Sequence, residues 1–144
     1  MHIQQIDMTG SRLVGAITNE LGMDGPKHHA IILGKGIYDS EIYIAEFMHY
    51  GYQVATFRNF QQRYAHNGEI RVEQNTGPHT DLQVAQRALA EIKGGKGSYD
   101  LIANNCESFA SRAMLGTSTS NQVINTVLGV LIVTGLCYVI KNSK

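Results

Sequence analysis

The sequence has few cysteines, few prolines and no excess of either charge, and the first and the last of these features each exclude a class of protein. Of 144 residues, two are cysteine and two are proline, and the 12 lysines and arginines match the 12 aspartates and glutamates. Two cysteines do not make a disulfide framework, so the thiols are interpreted as free, in a reducing compartment inside the cell. With zero net charge, the chain has no positive electrostatic field that would attract nucleic acid, so no nucleic-acid partner is expected.

The signals of export, of metal binding and of phosphate binding are also missing. The start, MHIQQIDMTG, has neither the basic beginning nor the apolar stretch of a secretory signal. No spacing of cysteine and histidine suggests zinc, and GKGIYDS is a poor match to a phosphate-binding loop. We therefore expect no metal and no cofactor. The apolar content of 43% suffices for the core of one domain.

One long uncharged run lies near the C-terminus. Residues 126–140 contain no charged side chain. As a helix they would reach about 22 Å, at about 1.5 Å per residue, against roughly 30 Å for the hydrocarbon core of a bilayer. Two interpretations stay open: a membrane anchor or embedded helix, and a helix in the core or in an oligomer interface. The sequence predicts a folded domain over residues 1–118 and a hydrophobic helix within residues 119–144.

Five short segments predict β-strands, because they are rich in β-branched and aromatic residues and are separated by glycine or Asp-Ser turns. They are RLVGAI, HAIILG, EIYIAEF, YQVATF and EIRVEQN. A helix is predicted after Thr80, with Gln83 completing a capping box and Gly94 and Gly95 ending it. The mixture predicts an α+β fold.

A second helix is predicted to begin at the asparagines of NNCESF and to end at Gly116. With Asn104 as its N-cap, Glu107 would be the third helical residue and Cys106 would lie in the first turn. A thiolate there meets the positive end of the helix dipole and free backbone N–H groups, which lower its pKa. Cys106 is therefore a candidate nucleophile.

A cysteine nucleophile needs a base and a group that orients the base. His28 and His29 open the strand HHAIILG, where alternation sends them to opposite faces, so one can point at the cysteine helix and the other away. On the next strand, Glu46 stands between Ala45 and Phe47. A carboxylate buried there requires a partner, such as an imidazolium, whereas one on a solvated face requires none. The residues alone leave both choices open.

The segments HHAIILG, YIAEF and YDLIANNCESFASRAMLG resemble the lecithin:retinol acyltransferase-like family, which includes the HRAS-like suppressor phospholipase/acyltransferases. This family belongs to the NlpC-type permuted papain-like superfamily. The resemblance extends over roughly residues 8 to 140, and its strongest part is the Asn-Cys-Glu box, which here reads Asn105, Cys106, Glu107. It implies a compact domain with an antiparallel sheet of about five strands packed against helices, and a nucleophilic cysteine at a helix N-terminus.

The resemblance also assigns roles to residues. The family's His-Trp-Ala-Ile strand matches residues 28–31, which makes His28 the base. The third polar residue falls on Glu46, with His49 as the alternative. The chain departs from the family pattern at Glu46 and Ser108, where the vertebrate enzymes carry histidine.

The resemblance implies acyl transfer, or phospholipase A activity, on lipid acyl esters through a Cys106 thioester. The expected partners are a phospholipid or another acyl ester, and a membrane reached through the C-terminal helix, with the catalytic domain in the cytosol. Relatives in the superfamily that cut peptide or amide bonds make a cysteine peptidase or amidase the alternative function. A binding module without catalysis is the third interpretation.

Overall fold

The computed structural model describes residues 7–20, 25–95 and 105–116. Within these ranges five strands form one antiparallel sheet, in the order β4-β3-β2-β1-β5, and helices cover both of its faces. The strands are β1 (Arg12–Ala16), β2 (Lys27–Lys35), β3 (Ile42–Met48), β4 (Gly51–Thr56) and β5 (Arg71–Glu73), and the α-helices are α1 (Phe57–Tyr64), α2 (Asp81–Gly94) and α3 (Cys106–Leu115). The predicted α+β fold with a five-stranded antiparallel sheet is confirmed.

The central strand, β2, is buried along nearly its whole length. It lies between β1 and β3, and helices pack on both faces, so its side chains have little access to water. On one face α1 packs against apolar residues of the first three strands, and on the other α2 and α3 pack against a second apolar cluster. His28 and His29 are both buried at the start of this strand.

The second helix, α2, begins and ends where its sequence predicts. The Thr80 side chain accepts a hydrogen bond from the Gln83 backbone N–H, and the Gln83 side chain accepts one from the Thr80 N–H. This reciprocal pair satisfies backbone donors that the first helical turn leaves free. Gly95 ends the helix in the left-handed conformation, with φ of 59°.

The first helix, α1, was not predicted, because YQVATF was interpreted as strand through Phe57. The strand instead ends at Thr56, whose side chain accepts a hydrogen bond from the Asn59 N–H and caps α1. Aromatic residues follow at positions 57, 60 and 64, which is helical spacing. Phe60 is fully buried and fixes the helix against the sheet.

Gly15 provides the space that α1 occupies on the sheet. A Cβ at this position would lie 2.9 Å from Cε1 of Phe60 and 3.0 Å from Cβ of Tyr64. Gly15 is also the residue paired with His28 across β1 and β2. The close approach of α1 to the sheet at His28 therefore requires a residue without a side chain.

We expect Gly15→Ala to lower the free energy of unfolding by about 1–3 kcal/mol, because overpacking displaces Phe60 and Tyr64. Chemical unfolding followed by circular dichroism measures it. Gly94→Ala is the matched control, since a Cβ there meets no atom within 4 Å. The control should leave stability unchanged or raise it by up to about 1 kcal/mol, as alanine favours helix. Equal losses in both variants would contradict the packing explanation.

None of the helices in the described part of the chain has the length and apolar content needed to cross a bilayer. The predicted hydrophobic helix within residues 119–144, including Cys137, lies outside the described residues.

Candidate active site

Cys106 is the first residue of α3 and is buried. The predicted N-cap, Asn104, is wrong by one position, because Asn105 caps the helix. The Asn105 side chain accepts a hydrogen bond from the Ser108 N–H at 3.0 Å, and the Asn105 N–H donates to the Ser108 hydroxyl at 2.7 Å. Ser108, rather than Glu107, therefore completes the capping box. The thiol lies in the first turn, as predicted.

Glu46 lies beside His28 in the protein interior. His28 Nε2 and Glu46 Oε1 are 2.9 Å apart, and the glutamate side chain is fully buried. Glu46 is paired with Ala30 across β2 and β3, and residues two apart on a strand share a face, so His28 and Glu46 meet on the α1 side of the sheet. The interpretation of Glu46 as a residue on a solvated face is wrong.

His28 also interacts with the thiol. The side chains of His28 and Cys106 are within hydrogen-bonding reach, and the His28 Nε2 is already engaged by Glu46. The Nδ1 is therefore the ring nitrogen left for sulfur. The Cys106 thiol also donates a hydrogen bond to the Lys27 carbonyl oxygen at 3.7 Å. The backbone N–H groups of His29 and Glu107 lower the pKa of the thiol.

Interactions among Cys106, His28 and Glu46 shift the pKa of each group in the direction that favours its charged form. Burial alone raises the pKa of the Cys106 thiol, but the hydrogen bond from His28, the His29 N–H, the charge of His28 and the Glu107 N–H together lower it. Burial lowers the pKa of His28, yet hydrogen bonds to Cys106 and Glu46 raise it above its ordinary value. Burial raises the pKa of Glu46, and His28 and Arg63 bring it below normal. The site favours a thiolate next to an imidazolium.

Two polar residues hold Glu46 from its other side, and the sequence did not predict either of them. Arg63 Nη2 donates to both carboxylate oxygens, at 2.7 and 2.9 Å, and Gln53 Nε2 donates to Oε2 at 2.6 Å. The buried carboxylate thus has a charged and a neutral partner besides His28, which lowers the cost of its burial. Glu46, Arg63 and Gln53 thus form one hydrogen-bonded cluster beside His28.

The α1 helix also holds the imidazole. The His28 ring stacks on Phe60, with ring centroids 5.7 Å apart, and contacts Tyr64 at 5.2 Å. The guanidinium of Arg63 lies over the same two aromatic rings. The ring of the candidate base is therefore fixed by packing on one side and by Glu46 at Nε2.

The sequence contained usable signals for both missing residues. Gln53 lies directly opposite Glu46 in the β3–β4 hairpin, which follows from a two-residue turn at residues 49–50. Arg63 belongs to α1, whose aromatic spacing at 57, 60 and 64 indicates a helix.

The other two histidines considered for the site lie elsewhere. His49 is exposed in the β3–β4 turn and packs on Tyr50, with ring centroids 5.0 Å apart. His29 does not point away from the cysteine helix, since its side chain lies near Glu107 of α3. Burial, together with the charge of Arg12, lowers the pKa of His29 to about 4, so its imidazole is neutral at physiological pH.

We expect Glu46→Gln to slow alkylation of Cys106 by iodoacetamide at pH 7 by about tenfold, the effect of losing one charge-assisted hydrogen bond. The negative charge of Glu46 stabilises the imidazolium, so its removal lowers the pKa of His28 and raises that of the thiol. Peptide mass spectrometry of Cys106 measures the rate. Glu41→Gln is the control, because Glu41 forms an ion pair with Arg58, whose side chain is 72% exposed. Unchanged alkylation in Glu46→Gln would show that Glu46 does not tune the thiolate.

The α+β fold with its five-stranded antiparallel sheet is compatible with an NlpC-like domain, and it places Cys106 at the start of a helix and His28 and Glu46 on neighbouring strands. The sequence profile described as "Lecithin retinol acyltransferase" matches residues 23–119. The chain belongs to the lecithin retinol acyltransferase family, and this membership indicates an enzyme with acyltransferase- or phospholipase-type activity. No curated protein and no solved structure matches the chain.

Proposed function

We propose that the protein is a thiol acyltransferase or phospholipase A that transfers the acyl group of a lipid ester through a thioester on Cys106. The observation that supports this proposal is the hydrogen-bonded series from Cys106 through His28 to Glu46. Such a series supplies a nucleophile, a base and a group that orients the base. Family membership supports the lipid ester as the donor.

In the first step, the Cys106 thiolate attacks the ester carbonyl carbon and forms a tetrahedral oxyanion. When this intermediate collapses, the bond between the carbonyl carbon and the alkoxy oxygen breaks. The alkoxide leaves with the proton that the His28 imidazolium carried. The products are a lysolipid alcohol, a Cys106 thioester and neutral His28.

In the second step, neutral His28 takes a proton from the acceptor, and the acceptor attacks the thioester carbonyl. The bond between carbon and sulfur breaks, and the thiolate and the imidazolium are restored. Water as the acceptor gives a free fatty acid, while an amine or a lysolipid gives an acylated product. One site therefore accommodates both phospholipase and acyltransferase chemistry.

The start of α3 provides a donor for the oxyanion. The Cys106 backbone N–H belongs to the first helical residue, and the first helical residues have no intrahelical acceptor. A preorganised backbone donor at a developing oxyanion is worth about 3 kcal/mol in the transition state.

A cysteine peptidase or amidase is the second candidate. Glu46 supports it, because this carboxylate occupies the third polar position, where the vertebrate acyltransferases resembled by the sequence carry histidine. An amide substrate would use the same Cys106 and His28 chemistry, with an amine as the leaving group.

Intact mass spectrometry after incubation with phosphatidylcholine tests the proposal. We expect the mass of one acyl group on the protein, removable by hydroxylamine, with the modification on the peptide that contains Cys106. An adduct elsewhere in the chain would overturn the thioester assignment. Turnover of peptides without any lipid product would favour the peptidase.

Membrane association through residues 119–144 is also part of the proposal, with the catalytic domain in the cytosol. The uncharged run at 126–140 supports it. Flotation with phosphatidylcholine vesicles is the measurement. Leu131→Arg in the full chain places a charge in the middle of the run and should reduce the floated fraction, since a central arginine costs about 2.5–3.5 kcal/mol on insertion. Equal flotation of both proteins would contradict this role of the run.

A further inference from the structure

Arg63 adds a second positive charge to the candidate active site. When Cys106 is a thiolate, the site contains two negative charges, one on the sulfur and one on Glu46. The His28 imidazolium balances one of them, and the guanidinium of Arg63, 2.7 Å from Glu46 Oε1, balances the other. Cys106, His28 and Glu46 are all buried, so water would solvate an unbalanced charge poorly. Without Arg63, the thiolate–imidazolium form of the site would leave one negative charge without a counterion among these four residues.

Hydrogen bonds to both of its oxygens fix the Glu46 carboxylate. Oε1 lies 2.9 Å from His28 Nε2 and accepts a hydrogen bond from Arg63 Nη2 at 2.7 Å. Oε2 accepts a hydrogen bond from the same Arg63 nitrogen at 2.9 Å and one from Gln53 Nε2 at 2.6 Å. Arg63 therefore holds the carboxylate in the orientation in which Oε1 faces the imidazole.

Arg63 is itself held in place by its own helix. Its Nε donates to Asn59 Oδ1 at 2.8 Å, one turn earlier in α1, and its Nη1 donates to the Tyr64 hydroxyl at 3.3 Å. The guanidinium lies over the rings of Phe60 and Tyr64, 5.7 and 5.0 Å from their centroids. A planar guanidinium that is fixed by these contacts loses little further freedom when it pairs with a carboxylate. The arginine is therefore preorganised for Glu46.

The groups that face Glu46 come from three elements: His28 on β2, Gln53 on β4, and Arg63 and Tyr64 on α1. Gln53 has no charge, and burial raises the pKa of Tyr64, so its hydroxyl stays neutral. Burial also raises the pKa of Glu46, while the charges of His28 and Arg63 lower it. In the proposed reaction His28 gives its proton to the leaving alkoxide, and Arg63 is then the cation that remains beside Glu46.

We propose that Arg63 is a positioning residue, which keeps Glu46 ionised and facing His28 and so supplies the countercharge that the thiolate–imidazolium pair requires. This inference rests on the proposed function and adds a residue that acts through Glu46. While His28 is neutral, an ionised Glu46 cannot give it a proton, so the imidazole is free to accept one from the acceptor. A purely structural role of Arg63 would affect the stability of the domain and leave the ionisation of Cys106 unchanged.

Alkylation of Cys106 by iodoacetamide across pH tests the proposal in the full chain, with peptide mass spectrometry as the readout. Arg63→Gln should slow alkylation at pH 7 by about tenfold, the usual effect of one lost charge-assisted hydrogen bond. The midpoint of the pH profile should rise by about one pH unit, since a buried cluster with a surplus negative charge holds its protons more tightly. Arg63→Lys keeps the positive charge and should recover most of the lost rate.

The double variant Glu46→Gln/Arg63→Gln separates positioning from a structural effect. Once Glu46 has lost its charge, Arg63 has no carboxylate there to hold, so its removal should not slow alkylation beyond the rate of Glu46→Gln alone. A further tenfold loss would show that Arg63 acts independently of Glu46 and would overturn the proposal. The double variant also contains no buried carboxylate left without its partner. If Arg63→Gln does not fold, Arg63→Lys and the double variant therefore decide by the same criteria.

Arg58→Gln is the matched control, because Arg58 lies on the same helix, has a side chain that is 72% exposed and pairs with Glu41. It should keep the wild-type pH profile. An unchanged profile in Arg63→Gln, with a wild-type circular dichroism spectrum, would overturn the positioning role. Alkylation requires no acyl ester. A chain that shows the Arg63 effect but takes no acyl group from phosphatidylcholine would therefore overturn the proposed function alone.

Discussion

Cys106→Ala is expected to reduce the turnover of acyl esters by about 10⁴-fold or more and to abolish the acyl adduct, since nothing else in the series can attack a carbonyl. The thiol is the only group placed both at the start of α3 and within hydrogen-bonding reach of His28 in the described part of the chain. Alanine keeps the helix and leaves the His28–Glu46 contact in place. The measurement is steady-state release of fatty acid together with intact mass.

Cys137→Ala is the matched control for this substitution, because it removes the second thiol of the chain and leaves Cys106 in place. It should retain both the turnover and the adduct. Turnover that survives in Cys106→Ala and disappears in Cys137→Ala would refute the assignment of the nucleophile.

His28→Gln is expected to lower kcat by about 10²–10⁴-fold, the usual contribution of a general acid–base group. Glutamine preserves a hydrogen bond to Glu46 but neither carries the proton to the leaving alkoxide nor supports the thiolate. Cys106 should therefore also react more slowly with iodoacetamide at neutral pH. An unfolded chain also carries an ordinary thiol. The circular dichroism spectrum and the melting temperature of His28→Gln should therefore match those of the wild type, which separates loss of the base from a folding defect.

The pH dependence of the wild-type protein follows from the same interactions. The pKa of Cys106 is lowered and that of His28 is raised, so the thiolate–imidazolium pair forms below the ordinary thiol range and persists above the ordinary imidazole range. Activity should rise as the pair forms and fall as the imidazolium loses its proton. In His28→Gln the rise should move to higher pH, and the fall should disappear.

His49→Gln serves as the control, since His49 is an exposed histidine in the β3–β4 turn. It should keep the wild-type turnover and the wild-type pH profile. If the pH profile changed in His49→Gln and stayed constant in His28→Gln, the assignment of the base to His28 would be wrong.

Much of this fold could be predicted from local patterns. All five strands, the capping box at Thr80 and the end of α2 at Gly95 depend on residues close together in sequence. The partnership of Cys106, His28 and Glu46 came from the resemblance to a known family, because these residues are far apart in the chain. The structure brings the three together.

The rest depended on tertiary structure. Asn104 and Asn105 are both good N-cap residues, so the sequence does not decide which of them caps α3. The structure shows that Asn105 does. Arg63 reaches Glu46 only because Gly15 admits α1 close to the sheet.

The support of the thiol is distributed across the whole domain. Cys106 heads α3, His28 is on β2, Glu46 is on β3, and Arg63 is on α1. A fragment or an open intermediate that lacks any of these elements leaves the sulfur an ordinary, weakly ionised thiol. In the Cys137→Ala background, the rate at which a fluorogenic maleimide labels the chain near pH 6 would therefore report the population of native molecules, without any substrate.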